Sequence, residues 1–204
     1  MKNHPLIPLI AALTALSANA EPLTFDFKDP KGVNNIVFKL DAPLESINGT
    51  ASGISGTVTL DPAQPDSAKG RIVVASDSLR VPNPIMNSHL HGGDWIDSKQ
   101  FPEISFEISK LSNLKRAGDS GTADVVGNFT LHGITKEMTV PVKVTYLPGK
   151  LKARGGDVEG DLLVVRSTFQ IKRSEFGIQP GKNSDKVAED IEITLSLAGA
   201  SPKK

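Results

Sequence analysis

Met138-Thr139-Val140-Pro141-Val142-Lys143-Val144-Thr145-Tyr146 is apolar and polar by turns. A repeat of two is that of a β-strand, whose successive side chains point to opposite faces, one buried and one wet. The same period recurs along most of the chain. Ile36, Phe38 and Leu40 share a face, as do Ile54, Gly56, Val58 and Leu60. Ile104, Phe106 and Ile108 alternate with Ser105, Glu107 and Ser109. Val125, Phe129 and Leu131 mark another strand, Leu163, Val165, Phe169 and Ile171 the next, and Ile191, Ile193, Leu195 and Leu197 the last. Leu23 to Phe27 and Gly70 to Ser76 are shorter candidates. Asp61-Pro62, Gly118-Asp119, Pro148-Gly149 and Gly155-Gly156-Asp157 punctuate them, and Gly127, inside a strand, predicts a bulge or a tight bend. The pattern predicts an all-β, antiparallel domain of about eight strands. Such a sheet protects its edges by closing into a barrel or folding into a sandwich. An eight-stranded barrel is either filled by side chains or holds one small ligand.

Composition narrows what this sheet can serve. The 204 residues carry 23 basic and 23 acidic side chains and no cysteine. Without disulfides the fold rests on its own core. The N-terminal MKNHPLIPLIAALTALSANA has the layout of an export signal. Lys2 is its positive start, Leu6 to Leu16 an apolar centre too short to span a bilayer, and Ala18-Asn19-Ala20 a small-x-small cleavage site. Cleavage after Ala20 is expected, leaving residues 21–204 as one exported domain, with no cysteine there to take a lipid anchor. No later run is long and apolar enough to span a membrane. Losing Lys2 leaves one more acid than base, and 5% of the chain is aromatic. That balance lacks the basic footprint of a nucleic-acid or anionic-membrane binder. The closing Ser201-Pro202-Lys203-Lys204 is expected to be a solvated tail.

Only Val81 to Gln100 breaks the period. It is too long for a hairpin turn and too polar for a strand. Its spacing predicts a short helix from Pro84 to Leu90, with Asn83 as N-cap. A connection of this length is usually functional or a lid. It holds His89, His91, Asp94, Asp97 and the single tryptophan, Trp95. Histidines two apart diverge on a helix and no cysteine assists them, so neither a metal nor another cofactor is expected. The expected role of His89 is a hydrogen bond that fixes the connection. Asp94 and Asp97 are expected to cap a turn or bond loop amides.

Three segments together resemble one family. His89-Leu90, Asp94-Trp95-Ile96-Asp97 and Phe101-Pro102-Glu103-Ile104-Ser105-Phe106 are similar to a run H-L…D-F-F-D…Y-P-x-I-x-F. Gly127-Asn128-Phe129-Thr130-Leu131-His132-Gly133-Ile134-Thr135-Lys136 is similar to G-x-L-T-I-H-G-V-T-K, and Phe169 to Ile178 to F-x-I-x-R-S-D-F-G-I. In this order they resemble the YceI-like, polyisoprenoid-binding proteins, exported lipocalin-like barrels. Trp95-Ile96, Phe101 and Glu175 depart mildly from the pattern.

The resemblance implies an elongated barrel that holds an isoprenoid lipid or isoprenoid quinone. The tube is then expected to be lined by Phe38, Ile104, Phe106, Phe129, Val142 and Phe169, with Leu90, Trp95 and Phe101 closing one end. From the third motif, Phe176 joins the ligand-facing set. Arg173 is expected either to meet a head group at the mouth or to lock a corner with a carboxylate. His132, before Gly133, is expected to shape a turn or touch a head group. No G-x-S-x-G, H-E-x-x-H or phosphate-loop signature appears, and the neighbours Glu189 and Asp190 point to opposite faces of a strand. The leading expectation is a non-catalytic carrier. One alternative is a filled barrel that docks on a protein, such as a membrane cytochrome. Another is a lipid head-group enzyme using His89, His91 or His132. The family also makes a homodimer an expectation.

Overall fold

The computed structural model describes residues 21–155 and 157–203, so the export signal at residues 1–20 lies outside the described residues. Ten strands follow one another: β1 (Leu23–Asp26), β2 (Asn35–Asp41), β3 (Ser46–Ala51), β4 (Ile54–Asp61), β5 (Gln64–Ala75), β6 (Glu103–Ala117), β7 (Ser120–Leu131), β8 (Ile134–Leu147), β9 (Gly160–Lys172) and β10 (Asp190–Pro202). Two short helices, α1 (Pro84–Leu90) and α2 (Leu151–Arg154), lie in connections. β1 and β2 are the halves of one interrupted strand, and β3 and β4 of another. Leu23 faces Leu60 across β1 and β4, and Phe38 faces Gly49 across β2 and β3. Counted so, eight strands run up and down, each bonded to the next in sequence. β10 then closes the ring against both β1 and β2. Closure pairs the first and last strands, so neither is left as a free end strand to template aggregation.

The turns follow from local chemistry. His132 (φ 51°) and Gly133 (φ 73°) are both left-handed, the geometry of the tight hairpin between Leu131 and Ile134. α1 starts where its cap stands: Asn83 Oδ1 accepts the amides of Ile85 (2.9 Å) and Met86 (3.1 Å). The β2–β3 turn, the connection bearing α1, the His132-Gly133 turn and the β9–β10 connection gather at one end, termed the α1 end. The β4–β5 and β6–β7 turns and the connection bearing α2 form the other.

Two seams depart from regular pairing. Between Asp26, opposite Ala200, and Asn35, opposite Ser196, strand β1–β2 bulges away from β10. Asn34 bridges the gap with its side chain. Its Nδ2 donates to Ala198 O (3.1 Å) and to Phe27 O (3.0 Å), and its Oδ1 accepts Ala198 N (2.8 Å). Asp29, at the base of the bulge, accepts three loop amides and pairs with Arg154 of α2 at 2.8 Å. Burial raises its pKa, but these bonds outweigh burial and hold it below the ordinary 3.8. The Gly-rich stretch from Pro148 to Gly160 thus has a purpose: it carries the arginine that anchors the bulge. The second seam lies between β8 and β9. Their pairing runs only from Lys143–Arg166 to Leu147–Leu162. It stops short of Pro141, which has no N–H to donate. Ser167 Oγ donates instead to the Pro141 carbonyl at 2.5 Å.

Two expectations are corrected here, and one strand is added. Ser201 and Pro202 belong to β10, and the Lys203 amide bonds Glu159 O, so the C-terminal stretch is not a free tail. The irregularity expected at Gly127 lies in the facing strand, between Ile108 and Lys110. Ser46–Ala51 is a strand, although its sequence shows no apolar alternation.

Candidate functional site: an apolar cavity

Side chains alone could fill a barrel of this girth, yet two large rings lie against the sheet. A Cβ on Gly49 would come within 2.1 Å of the Phe38 ring, and one on Gly127 within 2.7 Å of the Phe106 ring. Each glycine leaves a shallow seat for a phenylalanine on the neighbouring strand. The barrel retains a cavity of about 590 Å³ with a predominantly apolar wall. It extends from Leu90 and Trp95 at the α1 end to Ser120 and Tyr146 at the other.

Nine of the residues expected to face a ligand are on this wall: Phe38, Leu90, Trp95, Ile104, Phe106, Phe129, Val142, Phe169 and Arg173. Phe101 and Phe176 are not. Phe101 packs on the His132-Gly133 turn, its ring 4.5 Å from the His132 imidazole. Phe176, 2% exposed, stands edge-on to Phe129 at 5.4 Å, beside the Lys136 ammonium. Its short helical turn, Arg173–Phe176, follows β9 at the end where β8 and β9 part. Phe176 thus supports a lining ring, Phe129, and Phe101 supports the turn.

Arg173 touches the cavity but is committed elsewhere. It is fully buried, and its guanidinium donates to the carbonyls of Ala188 (3.1 Å), Ile178 (3.0 Å), Gln179, Lys182 and Val187 (3.3 Å). Glu189 is farther off, at 3.9 Å, and takes the Ser174 hydroxyl. Of the two roles expected of Arg173, the geometry gives it the locking one, performed through carbonyls rather than a carboxylate. Glu175 faces outward and pairs with Lys136 at 3.1 Å.

The histidines exchange roles. His91, not His89, fixes the long connection, bridging Leu79 O (3.0 Å) and Ser98 Oγ (2.9 Å). His89 is exposed at the cavity rim. His132 Nδ1 meets Phe176 O at 3.1 Å, a bond that holds the turn. Asp97 takes the left-handed conformation (φ 45°), and its carbonyl accepts the amides of Gln100 and Phe101. Asp94 contributes its carbonyl, which accepts Gln179 Nε2 at 3.0 Å. Among the described residues, no three His, Cys, Asp or Glu side chains gather as metal ligands.

Alternation placed Tyr146 on the inward face without marking it as special. It is the single tyrosine, on the wall far from α1. Its hydroxyl donates to Asp161 Oδ2 at 2.7 Å, and Asp161 Oδ1 accepts Gly149 N. Burial first, then the Asp161 carboxylate, pushes its pKa up to about 12.

A closed up-and-down barrel around an apolar cavity is a lipocalin-like barrel. The chain belongs to the YceI-like family, whose domain model matches residues 29–198. It is 29% identical to a UPF0312 protein of Pseudomonas putida strain W619, over 95% of this chain and 96% of that one. Among solved structures, it resembles BcnA of Burkholderia cenocepacia (TM-score 0.66, 22% identity, 81% of this chain and 95% of that one). It also resembles a polyisoprenoid-binding domain from Saccharophagus degradans implicated in plant cell wall breakdown (TM-score 0.64, 11% identity, 88% and 99%). At these identities the two structures speak to the fold.

Proposed function

We propose that this protein is a non-catalytic carrier that holds an isoprenoid lipid or isoprenoid quinone in its barrel. It acts in the periplasm after loss of residues 1–20. The observation that carries this reading is the apolar cavity of about 590 Å³ inside a YceI-like barrel. Each buried CH₂ contributes about 0.8 kcal/mol, so a chain of a few prenyl units binds firmly without any catalytic group. The polyisoprenoid-binding neighbour supports the ligand class. The deciding experiment is mass spectrometry of a solvent extract of the protein, purified from its native periplasm without detergent. A stoichiometric prenyl lipid is expected. An empty extract, repeated after quinones and prenyl alcohols are offered, overturns the reading.

One observation favours a second reading, a docking module for a membrane protein such as a cytochrome. Leu44 (67% exposed) and Ile85 (69% exposed) stand on two connections of the α1 end. Co-purification of a membrane protein, lost on Ile85→Ser, supports it; retention of that partner by the variant removes it.

A further inference from the structure

The two ends of the cavity differ in the hydrogen-bonding groups they leave open. At the end away from α1, most side chains on the wall that could donate are already engaged. Arg116 is turned onto the carbonyls of Pro62 (3.0 Å) and Ala63 (3.4 Å). The Tyr146 hydroxyl is given to Asp161, and Ser120 Oγ is 2.9 Å from Thr145 Oγ1. What stays open there is the Thr122 hydroxyl, the rest of the Arg116 guanidinium and the Asp119 carboxylate, which accepts, does not donate and opposes an oxygen-rich head group. At the α1 end the wall carries His89, Asn183 and Lys186, all exposed. None of these three side chains is hydrogen-bonded to another described residue. Glu45 is on the same rim. An oxygen-bearing head group needs donors, and an apolar tail needs none.

We propose that the ligand lies in the barrel with one polarity: its oxygen-bearing head group at the α1 end, held by Lys186, His89 and Asn183, and its tail running toward Tyr146. This rests on the carrier reading and adds its orientation. The chain carries its own reporters. Trp95, the single tryptophan, is on the wall at the α1 end, and Tyr146, the single tyrosine, on the wall at the other.

The test uses a quinone with four prenyl units, since a quinone ring quenches a neighbouring indole or phenol. Native mass spectrometry first establishes a one-to-one complex, with geranylgeraniol as the quinone-free control. The quinone is expected to quench Trp95 and to leave Tyr146 emission, read in Trp95→Phe, unchanged; geranylgeraniol quenches neither. Loss of Tyr146 emission with Trp95 still bright overturns the orientation while leaving the carrier reading intact. Absence of a complex with either lipid overturns both. The double variant His89→Ala/Lys186→Ala is expected to bind the quinone about tenfold more weakly, and Lys69→Ala, an exposed lysine off the cavity wall, to bind as the parent does. Undiminished affinity in the double variant also overturns the proposal.

Discussion

Arg173 carries a full charge into a site with no exposed surface, and the connection between β9 and β10 is folded around it. Its donors satisfy carbonyls that no strand or helix pairs. Arg173→Met keeps the aliphatic stem and removes every donor, leaving several carbonyls inside without partners. A loss of roughly 3 kcal/mol or more is expected in urea unfolding. Tyr146 gives a second reading at this scale. The folded state holds its proton to about pH 12, whereas the ordinary phenol releases it near 10.0. The stabilisation is therefore complete below pH 10 and is lost as pH rises toward 12. With one tyrosine in the chain, the rise of tyrosinate absorbance reports this residue alone. The expected midpoint is about 12; a midpoint near 10.0 means that the phenol is neither buried nor bonded to Asp161 in solution. Residue roles were the least legible part of the sequence. Spacing alone could not say that His91 bridges Leu79 and Ser98 while His89 faces water. It also could not say that Phe101 and Phe176 lie off the wall, packed on a turn and on Phe129. Those outcomes depend on contacts between segments distant in sequence.

At the scale of elements, the period of two was a sound guide wherever the inward face is apolar. It placed β2, β4, β7, β8, β9 and β10, and the capping chemistry of Asn83 placed α1. It failed for β3 because two of the three inward positions there, Gly49 and Ala51, are small, and Gly49 is the seat of the Phe38 ring. It also missed the outer half of β6, where Lys110, Asn113, Lys115 and Arg116 interrupt the alternation and the register shifts twice. The glycine seats make a prediction for these elements. Gly127→Ala would bring a methyl within 2.3 Å of the Glu107 carbonyl as well as against the Phe106 ring. β6 and β7 must part locally, so a loss of about 1–3 kcal/mol is expected by thermal or urea unfolding. An unchanged stability would mean that the two strands are not packed as closely as described.

For the whole molecule, cavity size sets a length scale. If each carbon takes about the share of one water in liquid, roughly 30 Å³, then about 590 Å³ accommodates about twenty carbons, or about four prenyl units. Affinity across a series of prenyl alcohols is expected to rise at least about tenfold per unit up to four. It should then level off as further units stay in water. A steady rise to eight units in competition binding would show that the barrel widens around its cargo. The sheet and its closure could be anticipated from alternation and the three motifs. The hollowness could not, because it depends on how two rings seat across neighbouring strands.

The bond between Asn34 and Ala198 has a consequence for the whole ring. Most of the barrel is joined by peptide groups, which every residue but proline supplies, so those joints tolerate sequence change. This one is made by a side-chain amide that matches a strand's donor and acceptor at once. A single codon therefore acts as a clasp on an otherwise sequence-blind hoop. Asn34→Ala is the smallest edit that leaves the Ala198 amide and carbonyl unfastened, and faster hydrogen exchange at Ala198 is its expected signature.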